Sequence, residues 1–96
     1  MTSPTPRKGA AIITGAARGI GRAIALRLAQ DGYNIAVNDI TQNSAELESL
    51  TEEIRSKGRK AIAVPGDISK EDVVQQLVDK TVEELGGLYV VCTLKP

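Results

Sequence analysis

Thr14-Gly15-Ala16-Ala17-Arg18-Gly19-Ile20-Gly21 is the stretch that decides the fold. Before it runs Ala10-Ala11-Ile12-Ile13-Thr14, an apolar segment short enough for a fully buried strand. After it, from Ile20 to Gln30, the residues Ile20, Ala23, Ile24, Ala25, Leu26 and Leu28 fit a helix that Gly32 stops. A strand that passes through glycines into a helix is the setting in which a glycine trio carries chemistry. Gly15 permits a tight turn. Gly19 and Gly21 permit close approach of backbone to a diphosphate and of helix to sheet. The helix start offers free N–H groups and the positive end of its dipole, with the Ile20 amide among the donors. No Gly-Lys-Ser/Thr follows, so this is not a P-loop.

Reading outward, the same alternation repeats. Ile35-Ala36-Val37 predicts a second strand. Asn43 with Glu46 predicts a capping box for a helix whose buried stripe is Leu47, Leu50 and Ile54, ended by Gly58. Ala61-Ile62-Ala63-Val64 predicts a third strand, closed by Pro65-Gly66. Ser69 with Asp72 predicts a second capping box, with Glu71 and Asp72 placed well against the dipole. In the helix it opens, Val73, Val74, Leu77, Val78, Thr81, Val82 and Leu85 run at helical spacing up to Gly86-Gly87. Leu88 to Leu94 predicts a fourth strand. The order β-α-β-α-β-α-β, with short apolar strands, implies a partial doubly wound α/β domain over 10–96, a parallel sheet covered on both faces. Residues 1–9, polar and broken by Pro4 and Pro6, read as a disordered leader.

Two acids stand at the ends of predicted strands, on the side where open α/β sheets bind ligands. Asp39 falls eighteen positions after Gly21, near the spacing at which a carboxylate meets an adenosine ribose. It would repel a 2′-phosphate by several kcal/mol at an effective dielectric of about 20. The competing assignment is a plain turn residue. Arg18 argues in the opposite direction, since a guanidinium at the turn could neutralise that phosphate; as a solvated arginine it would pair with Asp31 or Asp39. No second cation stands at positions 40 and 41, so the balance favours NAD over NADP. Asp67 could accept from the adenine amino group while Ile68 packs on the ring; its alternative is a turn aspartate bonding its own backbone.

The composition excludes other classes. Twelve basic residues balance twelve acidic ones and aromatics are 2%, so neither a basic field nor stacking platforms point to nucleic acid. With no histidine and one cysteine, Ser–His and Cys–His nucleophilic pairs, cysteine metal clusters and intrachain disulfides are all ruled out. No metal site is expected, and Cys92 reads as a buried strand residue. Neither a signal peptide nor a membrane span is visible, which places the chain by default in the cytoplasm.

Together, Thr-Gly-x-x-x-Gly-x-Gly at 14–21, the acid at Asp39 and the Asp67-Ile68 pair resemble the short-chain dehydrogenases/reductases. The stretch from Gly9 to about Gly87 is similar to that family's diacetyl/acetoin-reductase-like members. The resemblance implies a Rossmann domain and hydride transfer between alcohol and carbonyl. It implies further that Gly15, Gly19, Ile20 and Gly21 hold the pyrophosphate of the cofactor, Asp39 the ribose, and Asp67 with Ile68 the adenine. After Gly87 the pattern departs. Tyr89 stands where the family has aspartate, and Asn-Ala-Gly does not follow. Neither tyrosine begins Tyr-x-x-x-Lys, because four after Tyr33 is Val37 and four after Tyr89 is Thr93. The sequence-level expectation is therefore a cofactor-binding portion of an oxidoreductase with no catalytic residue of its own. The alternatives are a non-catalytic dinucleotide-binding or interaction module, and an unstable product that self-associates through the open edge of its fourth strand.

Overall fold

In the computed structural model, residues 9–86 are described with their side chains and 90–92 as backbone. Residues 1–8 of the expected leader, both ends of the expected fourth strand and the Cys92 side chain lie outside the described residues. Strands β1 (Ala10–Ile13), β2 (Asn34–Val37), β3 (Ala61–Ala63) and β4 (Val90–Cys92) alternate with helices α1 (Gly19–Gln30), α2 (Ser44–Ser56) and α3 (Glu71–Leu85). The sheet is wholly parallel in the order β3-β2-β1-β4. Two crossovers run one way from β1. The third returns past it, so β1 and β4 flank the point where the winding reverses. Ligands of open α/β sheets bind in the crevice above such a point.

Alternation along the strands supplies both faces of the core. Ala11, Ile13, Ile35 and Val37 point to the side covered by α1 and α2, where Leu47, Leu50 and Ile54 meet them. Ala10, Ile12 and Ala36 point to the other side, against Leu77 and Leu85 of α3. All four residues of β1 and all four of β2 are buried, as a two-sided parallel sheet requires. Each fully buried Ile or Leu side chain contributes about 1.5–3 kcal/mol.

Helix α2 buries the expected Leu47, Leu50 and Ile54, and the other helices show which of their residues face inward. In α1 the buried stripe is Gly21, Ala25 and Ala29, while Ile20 is 74% exposed. Small residues face inward because the helix lies too close to the sheet for larger ones. A Cβ on Gly21 would clash with the Gly15 carbonyl oxygen. In α3, Leu77, Thr81 and Leu85 are buried, and Val74 and Val82 face outward.

Neither expected capping box forms. A 3₁₀ turn, Thr41–Asn43, runs directly into α2, and Asn43 takes φ −101°, ψ 20° rather than the extended cap geometry. Its side chain is used elsewhere. The cap of α3 is Lys70 rather than Ser69, because Asp67 captures both the amide and the hydroxyl of Ser69.

Candidate functional site

Three loops converge on the carboxyl edge of the sheet, and buried Asn38 joins them. Its backbone N–H donates to the Ile13 carbonyl and its own carbonyl accepts from the Ala16 amide. Its side-chain Nδ2 donates to the carbonyls of Val64 (2.8 Å) and Gly66 (3.2 Å). The ends of β1, β2 and β3 are thereby locked in register one residue before Asp39.

The glycine turn itself is built by two different demands. Gly15 and Gly19 take φ of 63° and 64°, in the left-handed region that side chains avoid. Gly21 is required by close packing instead. Around Gly19 the space is open. The Ala16 and Ala17 amides are taken up by the protein, the second by Asp39 Oδ2 at 3.0 Å. At the start of α1, Arg18 makes no side-chain cap and the first turn holds no acid. The first turn of α1 therefore carries no acidic side chain of its own against the positive dipole end.

Asp39 is fixed at both oxygens. Besides the Ala17 amide on Oδ2, its Oδ1 accepts from the Ile40 amide (2.8 Å) and Asn43 Nδ2 (3.1 Å). Burial pushes its pKa up. Hydrogen bonds from Ala17, Ile40 and Asn43, together with the Arg18 charge, outweigh that and hold the carboxyl below its ordinary value of 3.8. Asp67 is also lowered, first by the Ser69 hydroxyl and then by the Ser69 amide and the charge of Lys70. Its bonds are local, as in an Asx turn. Arg18 pairs with neither Asp31 nor Asp39. Its guanidinium donates to Asn43 Oδ1 (2.7 Å) and reaches Glu46 (3.4 Å), while Asp31 is taken by Arg27.

Gly15, Arg18, Ile20, Gly21, Asp39, Asp67 and Ile68 line one cavity of about 520 Å³; Gly19 is the sequence-nominated residue that does not. Thr14, Asn38, Ile40 and Asn43 line it as well, and sequence reasoning did not nominate them. For Asn38 the available signal was a polar residue directly before the acid at a strand end. The half-exposed Ile40, with Ile20 and Ile68, gives the cavity apolar lining beside the polar Asn38, Arg18, Asp39 and Asp67. Such a donor set suits a ligand with a flat apolar part, a hydroxylated part and an anionic part. Among the described residues no cluster of acidic or cysteine side chains could hold a metal, and no helix is long and apolar enough to cross a membrane.

The family profile for short chain dehydrogenase matches residues 9–93. A short-chain dehydrogenase/reductase, eriH, of Hericium erinaceus is 57% identical over 97 residues, covering 93% of this chain and 38% of that protein. The 3-oxoacyl-(acyl-carrier-protein) reductase FabG of Staphylococcus epidermidis is 41% identical over 80 residues, covering 83% and 32%. Among solved structures, a blue fluorescent protein from a metagenomic library, in complex with NADPH, superposes with a TM-score of 0.83 at 35% identity, covering 88% of this chain and 35% of that one. A short chain dehydrogenase/reductase from Burkholderia phymatum, in complex with NAD, superposes with a TM-score of 0.81 at 30% identity, covering 88% and 30%. The chain thus spans between about a third and two-fifths of the length of the curated relatives named here.

Proposed function

Because the chain belongs to the short chain dehydrogenase family, we propose that its cavity holds the adenosine and diphosphate part of a nicotinamide dinucleotide, with NAD preferred over NADP. The observation that carries this reading is the carboxylate of Asp39, held at the cavity by the backbone amide of the glycine turn itself. The anion-receptive start of α1 and the ribose-accepting acid are thereby one hydrogen-bonded unit.

The residues present fit the group. Gly15, Gly19 and Gly21 keep the turn free of side chains, and the uncapped first turn of α1, the Ile20 amide included, would receive the diphosphate. Arg18 at the mouth would add positive charge. Asp39 would accept from the ribose hydroxyls, and Asp67 with Ile68 would meet the adenine. A 2′-phosphate would face the Asp39 charge at a cost on the order of a few kcal/mol, which supports the preference for NAD. When bound, the dinucleotide supplies hydride chemistry. These 96 residues hold no Tyr-x-x-x-Lys to move the accompanying proton, so the chain tested alone binds without turning over. In the reading proposed, the chain acts in the cytoplasm, and the β4 edge, paired only to β1 among the described residues, is where it would associate with other chains.

Isothermal titration of the expressed chain with NAD and with NADP tests the assignment. Saturable heat with NAD, at least tenfold tighter than with NADP, is the expected result. No heat with either at millimolar concentration ends the reading. A spectrophotometric assay with NADH and a carbonyl substrate should show no oxidation.

A further inference from the structure

We infer that Asn43 and Glu46 are positioning residues that keep the Arg18 guanidinium engaged within the protein, and that they thereby set how strongly the site rejects NADP. The inference rests on the dinucleotide reading above.

Arg18 and Asp39 line the same cavity with opposite preferences, one for and one against a 2′-phosphate. The structure sets them apart by a single amide. Asn43 Nδ2 donates to Asp39 Oδ1 at 3.1 Å, and its Oδ1 accepts from Arg18 at 2.7 Å. The chemistry of the neighbours fixes this orientation. A reversed amide would set its oxygen against a carboxylate and its N–H groups against a guanidinium. Glu46, in the first turn of α2, takes up the remaining pull on Arg18 at 3.4 Å and lies outside the cavity lining.

A 3₁₀ turn that ends at Asn43 therefore couples the two specificity groups. The acid and the cation are bridged by one amide, and the guanidinium is engaged by Asn43 and Glu46. The Arg18–Glu46 pair is exposed at both ends, 68% and 45%. Such contacts are weak and exchange readily, so the arginine is restrained rather than locked. Releasing it should be cheap in stability and visible in selectivity. Arg18 freed from both partners remains at the cavity mouth, where a 2′-phosphate would recruit it as a charge-assisted donor.

The test is the ratio of NAD to NADP dissociation constants for the chain and its variants, read by titration calorimetry. Glu46→Gln should shift the ratio about twofold towards NADP, and Asn43→Ala with Glu46→Gln about tenfold. Adding Arg18→Ala to the pair should cancel the gain, which a general loosening of the site would not produce. Circular dichroism confirms that each variant folds. If the wild-type chain binds NAD and the ratio stays within twofold across folded variants, the restraint is refuted and the dinucleotide site stands. If the ratio shifts equally without Arg18, the restraint is refuted as well. If the wild-type chain binds neither nucleotide, both readings fall together.

Discussion

Asp39 and Asp67 occupy equivalent places, each just beyond a strand at the carboxyl edge of one sheet, and each with its pKa held below the ordinary value. Their partners differ. Asp39 reaches twenty-two residues along the chain to the Ala17 amide and gathers Asn43 as well. Among the described residues the Asp67 carboxylate accepts from the backbone and hydroxyl of Ser69, two residues on. The first acid is part of what shapes the cavity. The second shapes its own turn and stands exposed at the rim. A lowered pKa by itself therefore does not separate a site-building carboxylate from a turn carboxylate; the sequence distance of the donors does.

The largest effect expected lies beneath the Asp39 side of this contrast. Gly21→Ala places a methyl carbon against the backbone of Gly15 and Ala16. Backbone cannot yield as a flexible side chain can, so α1 must lift from the sheet. The expected loss is about 3 kcal/mol or more, enough to unfold a chain this small, with dinucleotide binding lost as well. Gly19→Ala is the control. Nothing crowds its Cβ, and only the positive φ is strained, at about 1–2 kcal/mol. Thermal unfolding of the two variants separates close packing from backbone conformation, and equal losses would show that packing is not what Gly21 serves.

Asn38→Leu should come next. It removes two side-chain hydrogen bonds and leaves the buried carbonyl of Val64 without its Asn38 donor. The expected cost is about 2 kcal/mol, or roughly 8–16 °C in Tm for a domain of this size. Because Asn38 ties β3 to β2 directly beneath Asp39, NAD affinity should fall along with stability. A variant that melted lower yet bound NAD as before would detach the strand tie from the site.

What the sequence made legible follows from which constraints are local. The glycine turn, the strand that precedes it and the acid after the second strand are forced into sequence by the geometry of one βαβ unit. Their spacing therefore carries the signal. The inward face of α1 was not legible for the opposite reason. Apolar size selects the largest residues for the core, whereas close approach of α1 to the sheet selects Gly21, Ala25 and Ala29. Asn43 and Ser69 fit the capping pattern by spacing, but each is claimed by an aspartate the pattern does not contain. The role of Asn38 depends on carbonyls twenty-six and twenty-eight residues away, which no local window includes.

Asp39→Asn tests the charge with little change of shape. NAD affinity should fall about tenfold, as loss of a charged hydrogen bond implies, and discrimination against NADP should shrink. The pH dependence has a definite sign. The folded-state pKa is lowered, so the contribution of the ionised carboxylate is complete above 3.8 and is lost only as pH falls through the still lower folded value. As far as Asp39 is concerned, NAD affinity should be flat across neutral pH and weaken only in acid, and Asp39→Asn should abolish that acid limb. A decline setting in near neutrality would assign the charge to another group.

The smallest effect should come from Asp67→Ala, which decides whether the two acids differ as their partners suggest. The residue is exposed and its bonds close only its own turn. Removing it should lower Tm by less than about 3 °C, since no strand or helix hangs on it. If it accepts from adenine as proposed, it does so at a solvent-facing rim, where water competes for both partners. NAD affinity should then fall less than about threefold. Nicotinamide mononucleotide, which has no adenine, should bind the variant and the parent chain alike. An Asp67→Ala loss as large as that of Asp39→Asn would mean that the local turn and the long-range anchor are equal members of the site. Partner distance would then no longer tell them apart.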